Sequence, residues 1–216
     1  MLDLGPWYVA RLRKRWAPGT EAYDEHFWEL HDTGDWQGFA GLVLRLFPAS
    51  SLVDIGCGQG AAIQALGRVD PALVLRGFDD SPTAIARARA RHLRVDSLDI
   101  AAMSRPQARA FAREMGSVDL LLCLEVAEHL PAWHSGKLLD LFTCARRLIF
   151  SAAHPNQGGT MHVNERTAGY WIERLAARGF RLSSRDGDLR AGVASLAMAP
   201  WYKDNIHAFE RTGRTS

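Results

Sequence analysis

Cysteine is scarce in this chain: Cys57, Cys123 and Cys144 are the only three in 216 residues. An odd count without clustered spacing excludes a disulfide framework and a zinc knuckle. Each lies in or beside an apolar segment, so buried reduced thiols are expected. No apolar run approaches the roughly 20 residues a membrane-spanning helix needs. The charge balance is also slight, at +2, short of the bias usual in a nucleic-acid binder. The basic residues gather at 11 to 15 (RLRKR) and 86 to 94 (ARARARHLR), and both runs read first as solvated faces. There is no composition shift, linker or repeat. With 47% apolar and 23% charged residues, the chain reads as one soluble domain with a sizeable core. The stretch MLDLGPWYVARLRKRW has its aromatic and basic residues in the wrong order for a secretory signal, so a cytoplasmic location is expected.

What the chain does have is alternation. SSLVDIGCGQG (50 to 60) is a short apolar run ending in glycines, which reads as a strand and a tight turn. AAIQALGRV has helical spacing, and LVLRGFDD (73 to 80) is a second strand ending in acid. Ser81 then predicts an N-cap, with Pro82 at the first helical position. The pattern continues through a weak strand at 93 to 99, a helix over RPQARAFAREMG, the strand VDLLLCLE (118 to 125), a helix near 133 to 145 and the strand RRLIFSAA (146 to 153). Continuous apolar strands separated by helices predict an α/β fold whose mostly parallel sheet is covered on both faces. A functional site then belongs at the carboxyl ends of the strands. An amphipathic helix over 165 to 180 follows, ended by Gly179, and strands near FRLSSRD and NIHAFERT are expected to pair antiparallel at one edge.

The glycine turn is the first candidate site. Gly56, Gly58 and Gly60 let backbone approach a nucleotide-like ligand, because glycine tolerates positive φ and has no side chain in the way. The G-x-G-x-G spacing and the preceding Asp54 suit a ligand carrying an ammonium group better than one carrying phosphates. Asp79, with Asp80 beside it, ends the second strand, where a carboxylate can accept both ribose hydroxyls. Asp99 ends the third strand and is placed to address an adenine edge. Any one of these acids alone reads as a turn or helix cap; three at successive strand ends beside a glycine turn read as a cofactor site.

Taken together, LVDIGCGQG, GFDDSPTAIARAR, VDLLLCLEVAEHLP and the late GF segment resemble the class I S-adenosylmethionine-dependent methyltransferases, over about residues 40 to 210. The resemblance implies a Rossmann-like sheet of seven strands with the last antiparallel, in a domain at 41–216 preceded by an N-terminal helical lid at 1–40. It implies that Asp54, Gly56, Gly58 and Gly60 hold the methionine part of S-adenosylmethionine. Asp79 would hold the ribose, Asp99 and Ile100 the adenine, and backbone near Leu124 the amino-acid end, with Asp80 and Glu125 also among the cofactor-binding residues. The third strand departs most from the family pattern, since its register allows Asp96 in place of Asp99.

The stretch LEVAEHL (124 to 130) places Glu125, Glu128 and His129 just after the fourth strand, with the last two at offsets of three and four. Methyl transfer to a hydroxyl needs collinear approach and loss of a proton, which a base or a divalent metal assists. In ubiquinone-pathway O-methyltransferases and the methyltransferases of small-RNA 3′ ends, a similar E-x-x-E-H stretch binds a divalent metal with a later histidine. His162 is the matching candidate here and His154 a nearer, less well matched one. The set Glu125, Glu128, His129 and His162 would suit Mg²⁺, Mn²⁺ or Zn²⁺. Glu128, His129 and His162 serve equally as metal-free catalytic or substrate groups, and a purely structural role also stays open.

On the acceptor side, Tyr23, Phe27, Trp28 and His31 share one helical face and are the expected lid residues, while Asn164 and His162 are expected to face the acceptor. Trp171, in helical register with Ile172 and Leu175, is expected in the core. The function expected is O-methylation of a small hydroxylated molecule such as a phenol, sugar or secondary-metabolite intermediate. Two alternatives are kept: methylation of an RNA ribose with the basic runs on the backbone, and a non-catalytic cofactor-fold partner protein. No membrane partner is expected, and a homodimer is allowed for.

Overall fold

The computed structural model describes residues 32–212. Its centre is a seven-stranded sheet in the order β3-β2-β1-β4-β5-β7-β6. The strands are β1 (Ser51–Ile55), β2 (Val74–Asp79), β3 (Val95–Ser97), β4 (Val118–Leu124), β5 (Ala145–Ser151), β6 (Phe180–Leu182) and β7 (His207–Arg211). The pairs β1–β2, β1–β4, β2–β3 and β4–β5 are parallel, and β7 runs antiparallel between β5 and β6. The reversal of strand order beside β1 puts the carboxyl ends of β1 and β4 side by side, the switch point where ligands bind in such sheets.

Side-chain alternation along the central strands fills two separate cores. Val53 and Ile55 of β1 and Leu121 and Cys123 of β4 pack under α4 (Arg105–Met115), α5 (Ser135–Leu141) and α6 (Ala168–Ala176). Leu52, Leu120 and Leu122 face α1 (Trp36–Leu46), α2 (Ala61–Val69), α7 (Asp186–Ser195) and α8 (Pro200–Asn205). Burial on both faces is why β4 reads as an unbroken apolar run. The remaining helix, α3 (Pro82–Ala90), covers the β3 edge through Ile85 and Ala88. Its start is as predicted: Ser81 Oγ accepts the Ala84 N–H at 3.2 Å, with Pro82 at the first position. Trp171 lies in the core, 3% exposed.

The structure differs from expectation in three places. The helix α1 crosses the expected boundary at residue 40, and Trp36, Phe39 and Ala40 are core residues rather than parts of a lid. The predicted strand over 180 to 186 keeps only Phe180–Leu182, because α7 begins at Asp186. Neither α7 nor α8 is predicted. The former, DGDLRAGVAS, is poor in large apolar residues and lets Gly192 lie against Leu42 of α1, where a Cβ would collide. The latter is six residues long. All three cysteines are free, with Cys123 and Cys144 buried. Among the described residues no helix is long and apolar enough to cross a membrane.

Candidate active site

The glycine turn joins β1 to α2. Gly56, Gly58 and Gly60 have φ of 75°, 54° and 85°, the left-handed region that favours glycine. Substitution is also blocked sterically at two of them: a Cβ on Gly56 would collide with Val126, and one on Gly60 with Leu93. The Val126 contact matters because it presses the turn directly against the segment that carries Glu125 and Glu128.

Asp54 is 4% exposed; burial, with the nearby charge of Asp79 adding to it, pushes its carboxyl up to about 8. Asp79 accepts the Gly58 N–H on Oδ2 and the Ser81 N–H on Oδ1, both at 2.8 Å. Burial raises it to about 6 despite these bonds. A carboxylate offers roughly four acceptor positions, so the two amides leave capacity for further donors. Beyond β3, Asp99 is exposed and accepts the Ala102 N–H at 2.9 Å, while Ile100 is buried. Asp96 pairs with Arg76 at 3.1 Å and Arg89 at 3.9 Å. Those two guanidiniums occupy the alternative adenine acid.

Glu125 ends β4 with φ of 53°, a left-handed conformation that costs a non-glycine residue about 1 kcal/mol or more. Its N–H donates to the Ser151 carbonyl and hydroxyl, each at 3.1 Å. Asn205 Nδ2 lies 3.1 and 3.2 Å from its carboxylate oxygens, and Gln157 Nε2 donates to it at 3.3 Å. Burial raises the Glu125 carboxyl against these stabilising bonds. Asn205 also reaches Gln157 Oε1 at 2.8 Å, closing a three-residue clamp.

Glu128 is fully buried, and among the described residues neither of its carboxylate oxygens meets a hydrogen-bond donor in bonding geometry. An orphaned buried acceptor costs roughly 1–3 kcal/mol, and more when charged. Burial first, then the neighbouring Glu125 charge, drives its carboxyl well above the usual range. Ligand atoms of Glu128, His129 and His162 all lie within 4.8 Å of one another, and the two imidazoles meet edge-on at 5.0 Å. His162 Nδ1 sits 3.0 Å from Glu165 Oε1. That contact leaves Nε2 as its working nitrogen, the carboxylate–histidine arrangement usual behind metal ligands. The loop holding His162 is tightly bent: Met161 and Asn156 have φ of 64° and 71°, and Gly159 lies so close to the imidazole that a Cβ would collide with it.

Glu128, His129 and His162 thus converge as expected. Glu125 stands beside them but outside that cluster, held by Asn205 and Gln157. Asn164 is a correction. It is 3% exposed, its amide donates to the Ala127 carbonyl and Ser135 Oγ, each at 3.3 Å, and Arg166 donates to its Oδ1 at 2.9 Å. A side chain spent on the fold ties the loop to the E-x-x-E-H turn instead of facing an acceptor. His154 bonds its neighbour's carbonyl and is exposed. The lid candidates Tyr23, Phe27, Trp28 and His31 lie outside the described residues. Sequence reasoning missed Ser151, Gln157, Glu165 and Asn205. Only Glu165 left a signal, three residues beyond His162; Asn205 is 80 residues from Glu125.

Residues 53–149 match the family model described as a methyltransferase domain, and the sheet and glycine turn frame that match. The chain is 36% identical over 125 residues to the ubiquinone biosynthesis O-methyltransferase of Cupriavidus pinatubonensis (strain JMP 134 / LMG 1197). That match takes in 54% of this chain and spans 43% of the relative, less than half its length. Two solved structures share the fold. The mitomycin 7-O-methyltransferase MmcR has a TM-score of 0.58 at 17% identity, over 97% of this chain and 70% of the other. The S-adenosylmethionine-bound CalS10, an amino pentose methyltransferase from Micromonospora echinaspora, gives 0.57 at 16% identity, over 95% and 96%.

Proposed function

We propose that the protein transfers a methyl group from S-adenosylmethionine to a hydroxyl of a small molecule, a phenol, sugar or secondary-metabolite intermediate. The observation carrying this reading is the orphaned Glu128 carboxylate with His129 and His162 beside it, at the end of β4 and packed through Val126 onto the glycine turn. Asp54 accepts the ammonium of the cofactor, and an incoming cation returns it to the carboxylate form. Asp79 takes the ribose hydroxyls. Asp99 and Ile100 bracket the adenine, with Asp80, Leu124 and Glu125 completing the pocket.

The acceptor oxygen attacks the methyl carbon in line with the departing sulfur; the new C–O bond forms as the C–S bond breaks, and S-adenosylhomocysteine leaves. The hydroxyl proton passes to the Nε2 of His162 or to His129. Glu165 on Nδ1 fixes the His162 tautomer and stabilises its imidazolium. Glu128, whose burial favours the protonated form, lies beside both rings. The donor set also fits a divalent ion, Mg²⁺, Mn²⁺ or Zn²⁺, since an unpartnered buried carboxylate and two imidazoles are ligands awaiting a cation. When bound, such an ion would lower the pKa of an acceptor hydroxyl.

Ribose methylation of RNA loses one support, because Arg91 in the 86 to 94 run is held bidentately by Asp32 at 2.8 Å and Arg89 by Asp96. The test is methyl transfer from labelled cofactor to a panel of catechols, hydroxybenzoates and sugars, beside cofactor binding by calorimetry. His162→Ala should lower transfer by at least about a hundredfold with cofactor affinity kept. Absence of cofactor binding would defeat the enzyme reading, and unchanged turnover in His162→Ala would defeat the assigned site.

A further inference from the structure

The acidic partners of the arginines are unevenly shared. Arg76 pairs with Asp96, Arg91 with Asp32 and Arg181 with Glu210, and Arg105, Arg109 and Arg178 converge on Asp140. Arg113 and Arg211 have no carboxylate partner among the described residues, and both line one cavity of about 350 Å³. Arg146 lines it too. Its Nε donates to Ser117 Oγ at 3.2 Å, and among the described residues its only acidic partner is Asp119 at 3.6 Å. Arg211 rests over the Phe180 ring at 5.3 Å, which holds the guanidinium in place without neutralising it. The Cys144 thiol in the same wall is pushed up to about 11 by burial, so it stays neutral at physiological pH and adds no counter-charge.

The cavity sits where β4 and β5 begin and the antiparallel β7 ends, the opposite pole of the sheet from the glycine turn. We propose that it binds a small phosphate ester, a diphosphate in preference to a monophosphate, at a site separate from methyl transfer. Three guanidiniums against one shared carboxylate leave a net charge near +2, which calls for a ligand with at least two negative charges. Planar guanidinium forks match phosphate oxygens in pairs. Ser117, which accepts from Arg146, keeps its own proton to donate. The volume exceeds that of a bare anion and falls in the range of small-molecule sites. The lining holds no aromatic ring on which a nucleobase would stack, which disfavours a single-stranded polynucleotide.

The test uses the intact protein in metal-free buffer at constant ionic strength, titrated calorimetrically with inorganic pyrophosphate, inorganic phosphate and a short RNA. Pyrophosphate should bind one to one and more tightly than phosphate. Arg113→Gln and Arg211→Gln should each weaken it at least about tenfold, equivalent to about 1.4 kcal/mol. Arg68→Gln on α2, outside the cavity, should leave binding unchanged, and cofactor affinity should hold in all three variants. All three side chains are at the surface, and thermal melts of each verify the fold. No pyrophosphate heat above matched chloride overturns the proposal. So does equal weakening by Arg68→Gln, which would mean diffuse charge, or tighter binding of RNA than of pyrophosphate, which would mean a polyanion surface.

Discussion

The two halves of the site are built on opposite terms. On the cofactor side, β2 hands its acid to backbone amides: Asp79 is fixed by Gly58 and Ser81, and the turn is locked by positions where a Cβ would collide. On the acceptor side, Glu128 meets no donor in bonding geometry among the described residues, Glu125 sits in a left-handed conformation, and the His162 loop bends through two further positive-φ residues. The first half is finished before any ligand arrives. The second stores unmet interactions, which is the condition in which a group gains most from binding a cation or proton.

Gly56→Ala is the strongest way to break that contrast. It forces a Cβ into Val126 at positive φ, so cofactor affinity by calorimetry should fall by at least about a hundredfold, roughly 2.7 kcal/mol, with both halves affected together. Loss of acceptor-side function with cofactor binding intact would show that the halves are not coupled through Val126.

Glu128→Gln addresses the acceptor half alone. Mn²⁺ binding by calorimetry should weaken about 10–100-fold, while S-adenosylmethionine binding stays. The pH dependence sharpens the point. Asp54 and Glu128 hold their protons more tightly in the folded chain than in the unfolded one. Their contribution to stability is therefore full below the ordinary carboxylate range and is lost as pH rises, for Asp54 through about 8. Ligand-free protein should melt at progressively lower temperature from about pH 5 to 8, and Asp54→Asn or Glu128→Gln should each flatten part of that slope. A melting temperature that rises with pH across this window would contradict the burial of both acids.

A smaller effect is expected in cofactor binding itself. At pH 7 Asp54 is mostly protonated, so binding an ammonium there should release close to one proton, measured as a dependence of the calorimetric heat on buffer ionisation enthalpy. Asp54→Asn should abolish the release. Smallest is Asn205→Ala, which removes one arm of the Glu125 clamp and should cost about 0.5–1.5 kcal/mol in chemical denaturation.

How much of this was legible in the sequence follows the same division. The succession of strands and helices, the glycine turn, the Ser81 cap and the E-x-x-E-H turn all depend on neighbours within a few residues, and their periodicity or turn chemistry is local. The sequence leaves Asp96 and Asp99 as alternatives on β3, and the ion pairs of Asp96 with Arg76 and Arg89 are tertiary contacts that no local pattern announces. Asn164 reads as a site residue because it is polar and next to His162; its burial against Ala127 and Ser135 is a tertiary fact. Asn205 and Gln157 reach Glu125 from distant parts of the chain, and no spacing rule connects them. Helix α7 escaped because small residues and glycines give it no apolar stripe, and α8 because six residues are too few to show a helical period.

The antiparallel insertion of β7 between β5 and β6 has a temporal consequence. A nascent chain that has emerged only through α6 already contains both the glycine turn and the E-x-x-E-H turn. It has neither the neighbour that shields β5 nor the Asn205 amide that restrains Glu125. The restraint on Glu125 is thus completed only once α8 is in place.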